Sequence, residues 1–428
     1  MQVGDKLRII VLGGSLAAVS AIHWIRKIDP VSKIMLITDT NFPGFIRSFL
    51  PYIVTGELKP EYAAIFPLVF LKDVERVELK IVKNMDKVRQ RENLIEIEED
   101  RIELEVDDKI LVASGVKAAK PPINLQDKIS KIYPLEKVED AIILSETLSS
   151  LRENKKIGVI GDFYGLDIAA KLAMLDYSVS LYMDKTCYKL FDSDMLNLLT
   201  KILPKNLRIK NLDWDMIALD DLIIVRGYIK PNVPSLENIT LGDNGGIIVD
   251  EKMKASEKVY AAGSAAERIN HDLGISFIHL SDNLSIAESI VSALNLKSYF
   301  YKFKRFLPLF ETVIGEKLVF SLGFSSEILA EHGKSIVSAR HHFYISENNA
   351  DVYIKVIGDR VTRILYNVQV ICDKDYAYGL TNILNTLLNN ASIDDVIIQP
   401  STIIPFLTDL ADPFIATCRG LWRKLLKL

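Results

Sequence analysis

The chain has 428 residues, 49% of them hydrophobic and 25% charged, with 56 acidic against 52 basic side chains and a formal net charge of −4. That length supports two or three packed domains, and the charge balance gives no support to a nucleic-acid function. Cys187, Cys372 and Cys418 are far apart, so spacing gives neither a disulfide framework nor a metal site; they suit a reducing cytoplasm.

The first element is Leu7–Arg26, LRIIVLGGSLAAVSAIHWIR. An apolar strand turns at Gly13, Gly14 and Ser15 into an apolar helix. Such a corner aims backbone N–H groups and the positive helix end at one point, where a diphosphate can sit. Gly13 stands first in the dinucleotide spacing, Ser15 takes the place of the second glycine and Ala18 that of the third. A signal peptide or a short membrane span would also show an uncharged stretch here. The recurrence of the pattern at Lys156–Leu175, KIGVIGDFYGLDIAAKLAML, favours the nucleotide reading. Lys33–Ile37 reads as the second strand, ending at Thr38–Asp39. Asp39 is either the acid that takes ribose hydroxyls, displaced by one position, or a turn aspartate in TDTN.

Phe45, Ile46, Arg47, Ser48, Phe49, Leu50, Pro51 and Tyr52 follow. This run resembles the flavin-facing segment of the pyridine nucleotide-disulfide oxidoreductase family, in particular coenzyme A disulfide reductases and NADH oxidases. There an aromatic residue is followed by the redox cysteine and Gly-Leu-Pro-Tyr. Ser48 stands at the cysteine position, and a serine oxygen can neither form a disulfide nor store two electrons, so thiol–disulfide chemistry through it is excluded. The aromatic-x-Arg-x-x-Leu form also resembles cysteine-free rubredoxin and nitrite reductase flavoproteins.

Residues 92–108 alternate apolar and acidic and predict a hairpin. Lys109–Gly115, KILVASG, resembles the family strand ending Ala-Thr-Gly, with Ser114 for threonine, and Pro121–Pro122 mark a crossover. Residues 134–150 read as a connecting helix before the second nucleotide fold at Lys156. Its loop, Gly161-Asp162-Phe163-Tyr164-Gly165, is one residue shorter than the family's Gly-x-Gly-x-x-Gly, and Asp162 replaces a glycine. Asp162 either weakens diphosphate binding by its charge or caps the helix. The strand Val179–Tyr182 ends at Met183–Asp184. Asp220–Pro231 matches the return strand and its Gly-x-x-Pro turn. Val259–Gly263 matches the last flavin strand, but Ser264 stands where the family has the aspartate that holds the ribityl chain. His279 and Asn283 beside the next helix read as structural. Strands at 318–323, 340–345, 352–357 and 363–370 and helices near 376–390 resemble the family's interface domain. The adjacent His341–His342 point to opposite faces and make no metal site. The basic, apolar end CRGLWRKLLKL fits either a membrane contact or, more simply, packing against its own dimer.

The expected fold is α/β: two Rossmann-like nucleotide-binding domains and a C-terminal α+β interface domain. Residues 1–118 and 235–300 form the FAD-type domain, 119–234 the NAD(P)-type domain and 301–428 the interface domain. The resemblance implies a cytoplasmic homodimeric flavoprotein that passes electrons from NAD(P)H or another donor to oxygen, a quinone or a small redox protein. FAD would lie along Gly13, Gly14, Ser15, Ala18, Asp39, Arg47, Ser48, Ser114, Gly115, Gly263 and Ser264, with Gly161 and Gly165 in the NAD-type loop. The alternative is a degenerate paralogue acting as a partner or regulatory subunit, with FAD or ADP as a structural ligand.

Overall fold

The computed structural model describes residues 7–98, 100–119, 132–150, 155–183, 190–217, 220–345, 350–400 and 412–426. Pro121–Pro122, Asp184 and Cys187 lie outside them. The chain forms two bodies: residues up to 161 together with 213–303, and residues 162–212 together with 304–428.

The first body is built on a five-stranded parallel sheet. Its strands run in the order Val259–Ala261, Lys109–Val112, Arg8–Leu12, Lys33–Thr38, Val77–Ile81. Ile9–Leu12 is the central strand and is fully buried, which explains its unbroken apolar run. Leu16–Ile28 is the first helix; Ala17, Ala18, Ala21, Ile22 and Ile25 join Ile9, Val11, Leu36 and Leu111 in one core. The helix Asp282–Leu296 adds Ala293 and Leu296 to that core. Small side chains there let helix and sheet approach closely. A second parallel set, Ile132–Pro134, Leu222–Val225 and Lys156–Gly161, also belongs to this body, with the helix Val138–Ser149. The expected hairpin is present: Leu94–Ile97 pairs antiparallel with Asp100–Glu103.

The second body holds the parallel pair Ser178–Met183 and Leu207–Asn211, the helix Gly165–Met174 and a five-stranded antiparallel sheet. The sheet order is Leu309–Ile314, Lys317–Gly323, Leu365–Asp373, Ala350–Asp359, Ile336–Ile345. Leu309–Ile314, LFETVI, escaped the sequence reading because it does not alternate cleanly. It is fixed by a tight turn at Gly315 (φ 61°). The C-terminal helix Pro413–Leu426 buries Phe414, Ile415, Cys418 and Leu421. Trp422 Nε1 donates to Asp394 at 3.0 Å, and the Lys424 ammonium donates to the Ser338 carbonyl at 2.7 Å, so this basic segment packs on its own body.

One buried ion pair ties that body together. Lys355, 8% exposed, reaches Asp192 at 2.5 Å and Asp194 at 2.8 Å, and Asp192 also accepts the Ser326 hydroxyl at 2.6 Å. Burial alone would raise the Asp192 carboxyl, but the Lys355 and Ser326 hydrogen bonds outweigh it and hold it below its ordinary range. Removing one partner leaves a buried charge behind. Lys355→Met is therefore expected to lower stability by about 3 kcal/mol in denaturant unfolding. The double variant with Asp192→Asn should lose less than the sum of the two single changes.

Candidate functional site

The site is a cleft in the first body with about 610 Å³ of empty space, part of it open to solvent. One wall is the amino-terminal corner. Gly13 has φ +109° and packs on the Ser114 backbone, and a Cβ on Gly14 would collide with the Thr38 hydroxyl. Only glycine fits at either position. Ser15 is the N-cap of the first helix: its Oγ accepts the Ala18 N–H at 3.4 Å. Gly14, Ser15, Leu16 and Ala17 line the cleft, so the positive end of the helix opens into it.

Ser114 and Gly115 form the floor, and the Ser114 hydroxyl oxygen is buried with no hydrogen-bond partner among the described residues. The opposite wall carries Ser264, Leu280, Asp282 and Ser285. The two glycine corners, some 250 positions apart in sequence, thus bound a single cleft.

Of the eleven residues expected along FAD, Gly14, Ser15, Asp39, Arg47, Ser114, Gly115 and Ser264 line the cleft. Gly13, Ala18 and Gly263 are buried behind it and shape its walls. Ser48 is exposed and is not part of the lining. Its hydroxyl donates to Asp282 at 3.0 Å, and the Arg47 and Ser48 amides donate to the same carboxylate at 3.3 and 3.1 Å. Asp39 accepts the Lys137 ammonium at 2.7 Å, while Glu139 takes the Thr40 hydroxyl at 3.0 Å.

Glu136, Arg226, Arg268 and Glu288 were missed by sequence reasoning. Arg47 forms an ion pair with buried Glu136, which also accepts the Gly227 N–H at 3.2 Å. Burial pushes the Glu136 carboxyl up, against Arg47 and Arg226, which pull it down. Arg226 donates to the Leu135 and Arg47 carbonyls at 3.0 and 3.2 Å. Behind Ser264, Glu288 accepts the Gly263 N–H at 2.9 Å and pairs with Arg268. The Arg268 guanidinium also donates to the Gly263 and Ala266 carbonyls at 2.7 and 2.6 Å. His279 Nε2 lies 3.0 Å from Glu288. Burial, then Arg268, keeps His279 below its ordinary value. Burial would raise Glu288, but Arg268 and His279 hold it at about 2. Charged residues inside the apolar runs AAERIN and LSIAESIV were the available signal, as was the Ser281–Asp282 helix start.

In the second body, the Asp162 carboxylate accepts the Tyr164 N–H at 2.7 Å, just ahead of the helix Gly165–Met174. Phe163 is buried with its ring 5.1 Å from Phe191 and 5.5 Å from Phe310, and the Tyr164 hydroxyl donates to the Leu309 carbonyl at 2.8 Å. The loop is thus anchored in the packing of its own body. Gly161 ends the strand Lys156–Gly161 of the first body, and Gly165 is buried at the helix start. Among the described residues no His, Cys, Asp and Glu cluster could hold a metal. None of the described helices is long and apolar enough to cross a membrane.

Residues 7–212 match the family model described as pyridine nucleotide-disulphide oxidoreductase. Over that stretch the chain is similar to this family. The NAD(P)H coenzyme A polysulfide/persulfide reductase of Pyrococcus horikoshii is 22% identical over 285 residues, 61% of this chain and 63% of that protein. The chain therefore spans less than two thirds of that relative's length. The NADH-dependent phenylglyoxylate dehydrogenase subunit epsilon of Aromatoleum evansii is 26% identical over 62% of this chain and 66% of its own. The fold is similar to that of reduced CoADR-RHD from Bacillus anthracis, with a TM-score of 0.85 at 16% identity, covering 99% of this chain and 81% of that one.

The Glu288 pair carries a pH prediction. A carboxyl whose folded value is depressed stabilises the fold above its ordinary value, and that contribution is lost as pH falls toward the folded value. Stability should drop between about pH 4.5 and pH 2. Glu288→Gln is expected to cost about 3 kcal/mol at pH 7 and to flatten that part of the profile in urea titrations.

Proposed function

We propose that the chain is an FAD-dependent oxidoreductase whose dinucleotide lies in the cleft of the first body and whose chemistry bypasses position 48. The observation that carries this reading is the meeting of the two glycine corners around one cleft, with a helix N-terminus and an unsatisfied Ser114 hydroxyl facing it. The residues fit the group. Gly14 and Ser15 line the cleft beside the first helix, where a diphosphate would sit, Ser114 and Ser264 offer hydroxyls, and Asp39, paired with Lys137, would face the adenosine. Bound FAD supplies hydride acceptance and one- or two-electron transfer. The chain's own part is to hold and orient it. The Arg268–Glu288 pair keeps the Gly263–Ser264 corner in register, and the Arg47–Glu136 pair fixes the wall next to Ser48.

The donor in this reading is NAD(P)H, in line with the relatives' names, and the acceptor is oxygen, a quinone or a small redox protein. A cytoplasmic homodimer is the expected form. Asp162 places a negative charge at the helix start where the family would seat the nucleotide diphosphate, so affinity for NAD(P)H should be low. A second reading, an electron-transfer or regulatory subunit of a larger assembly, is supported by that loop and by a relative named as a subunit.

The purified protein is expected to be yellow, with NADH or NADPH bleaching the flavin band in the absence of oxygen. A colourless protein that cannot be reconstituted with FAD would instead support the subunit reading. Replacing Asp162 with glycine and restoring the missing loop residue should tighten NADH binding about tenfold in equilibrium titrations. Unchanged affinity would contradict the charge argument.

A further inference from the structure

The most unusual group in the cleft is Asp282. It stands at the first position of the helix Asp282–Leu296, lines the cleft and receives three hydrogen bonds from the 47–48 turn, more than 230 residues away in sequence. One of the three is donated by the Ser48 hydroxyl. With its proton committed to Asp282, Ser48 can only accept from anything else that approaches.

We propose that Asp282 is a specificity residue that excludes anionic sulfur from this end of the cleft and so restricts the acceptors to neutral molecules. The inference rests on the flavoprotein reading above and narrows its acceptor class. Thiolates, persulfides and polysulfides react as anions. A carboxylate in hydrogen-bond contact with position 48 disfavours such an anion there and repels one arriving from solution. Position 48 therefore differs from a cysteine in two ways: the residue has no thiol, and its surroundings would keep a thiol protonated.

Of the other charged groups near Asp282, Lys137 is paired with Asp39 and His279 lies against Glu288. The Arg47 guanidinium is engaged by Glu136, and Arg226 is buried with its donors on the Leu135 and Arg47 carbonyls. Asp282 alone among them is hydrogen-bonded to Ser48 itself. Dioxygen and quinones, which carry no charge, are not penalised by it.

The test introduces a reporter thiol. Ser48→Cys and the double variant Ser48→Cys/Asp282→Asn are labelled with iodoacetamide across a pH series, and modification at position 48 is followed by peptide mass spectrometry. Cys372 and Cys418 are buried, Cys187 lies outside the described residues, and the parent protein supplies the background for all three. Circular dichroism and melting curves confirm that both variants fold. The introduced thiol is expected to titrate at or above the ordinary thiol range of about 8.5 while Asp282 is present, and at least one pH unit lower in the double variant. Both variants are then reacted at low salt with an anionic and a neutral aromatic disulfide, and mixed-disulfide formation at position 48 is timed. The ratio of anionic to neutral rates should rise about tenfold on removing Asp282, and the difference should shrink at high salt. Equal titration in both variants, or an unchanged reagent ratio, would overturn the proposal. Neither readout needs flavin, so failure of this inference and failure of FAD binding are separate results.

Discussion

The buried ion pair between Arg268 and Glu288 is the constraint on which the cleft depends. Both side chains are almost fully buried, and together they bind the amide of Gly263 and the carbonyls of Gly263 and Ala266. A turn with φ +67° at Gly263, packed against Ala17 of the first helix, cannot shift without breaking several of these bonds. Ser264 thus faces the amino-terminal corner in a fixed position. The charge is behind the turn, where the family's aspartate would stand within it, so the cleft meets a neutral hydroxyl at this place.

Asp282 and Asp162 fit the same pattern. In each case a carboxylate of the chain takes backbone N–H groups at or just before the start of a helix. At Asp282 the donors come from the 47–48 turn; at Asp162 they come from the loop itself. An internal anion stabilises the folded chain and raises the cost of an external one. In both segments the chain's own carboxylate takes up donors that would otherwise be open to a ligand.

Much of the architecture was legible because parallel strands buried on both faces are continuous apolar runs. Ile9–Leu12 and Leu222–Val225 announce themselves in this way. The antiparallel strands 318–323 and 352–357 were visible for a related reason, whereas Leu309–Ile314 was not. Its sequence carries a central Glu-Thr pair and no clear period, and it is a strand because its neighbour after Gly315 pairs with it. The glycine corners showed where a ligand could sit, since glycine spacing is local. The Arg47–Glu136 and Arg268–Glu288 pairs were invisible as pairs because each joins residues from separate elements. The same holds for Ser48. Its replacement of cysteine could be read, but its turning away to Asp282 required the helix start some 230 residues later.

The central claim, one dinucleotide bound between the two corners, is tested most directly by titrating flavin-free protein with FAD and following the quenching of flavin fluorescence, alongside a Gly14→Val variant. A side chain at Gly14 would collide with buried Thr38 and with Thr40, which lines the cleft. The account predicts saturation at one FAD per chain for the parent and loss of binding in the variant while its melting curve stays cooperative. Saturable binding of equal strength in both proteins, or none in the parent, would contradict it.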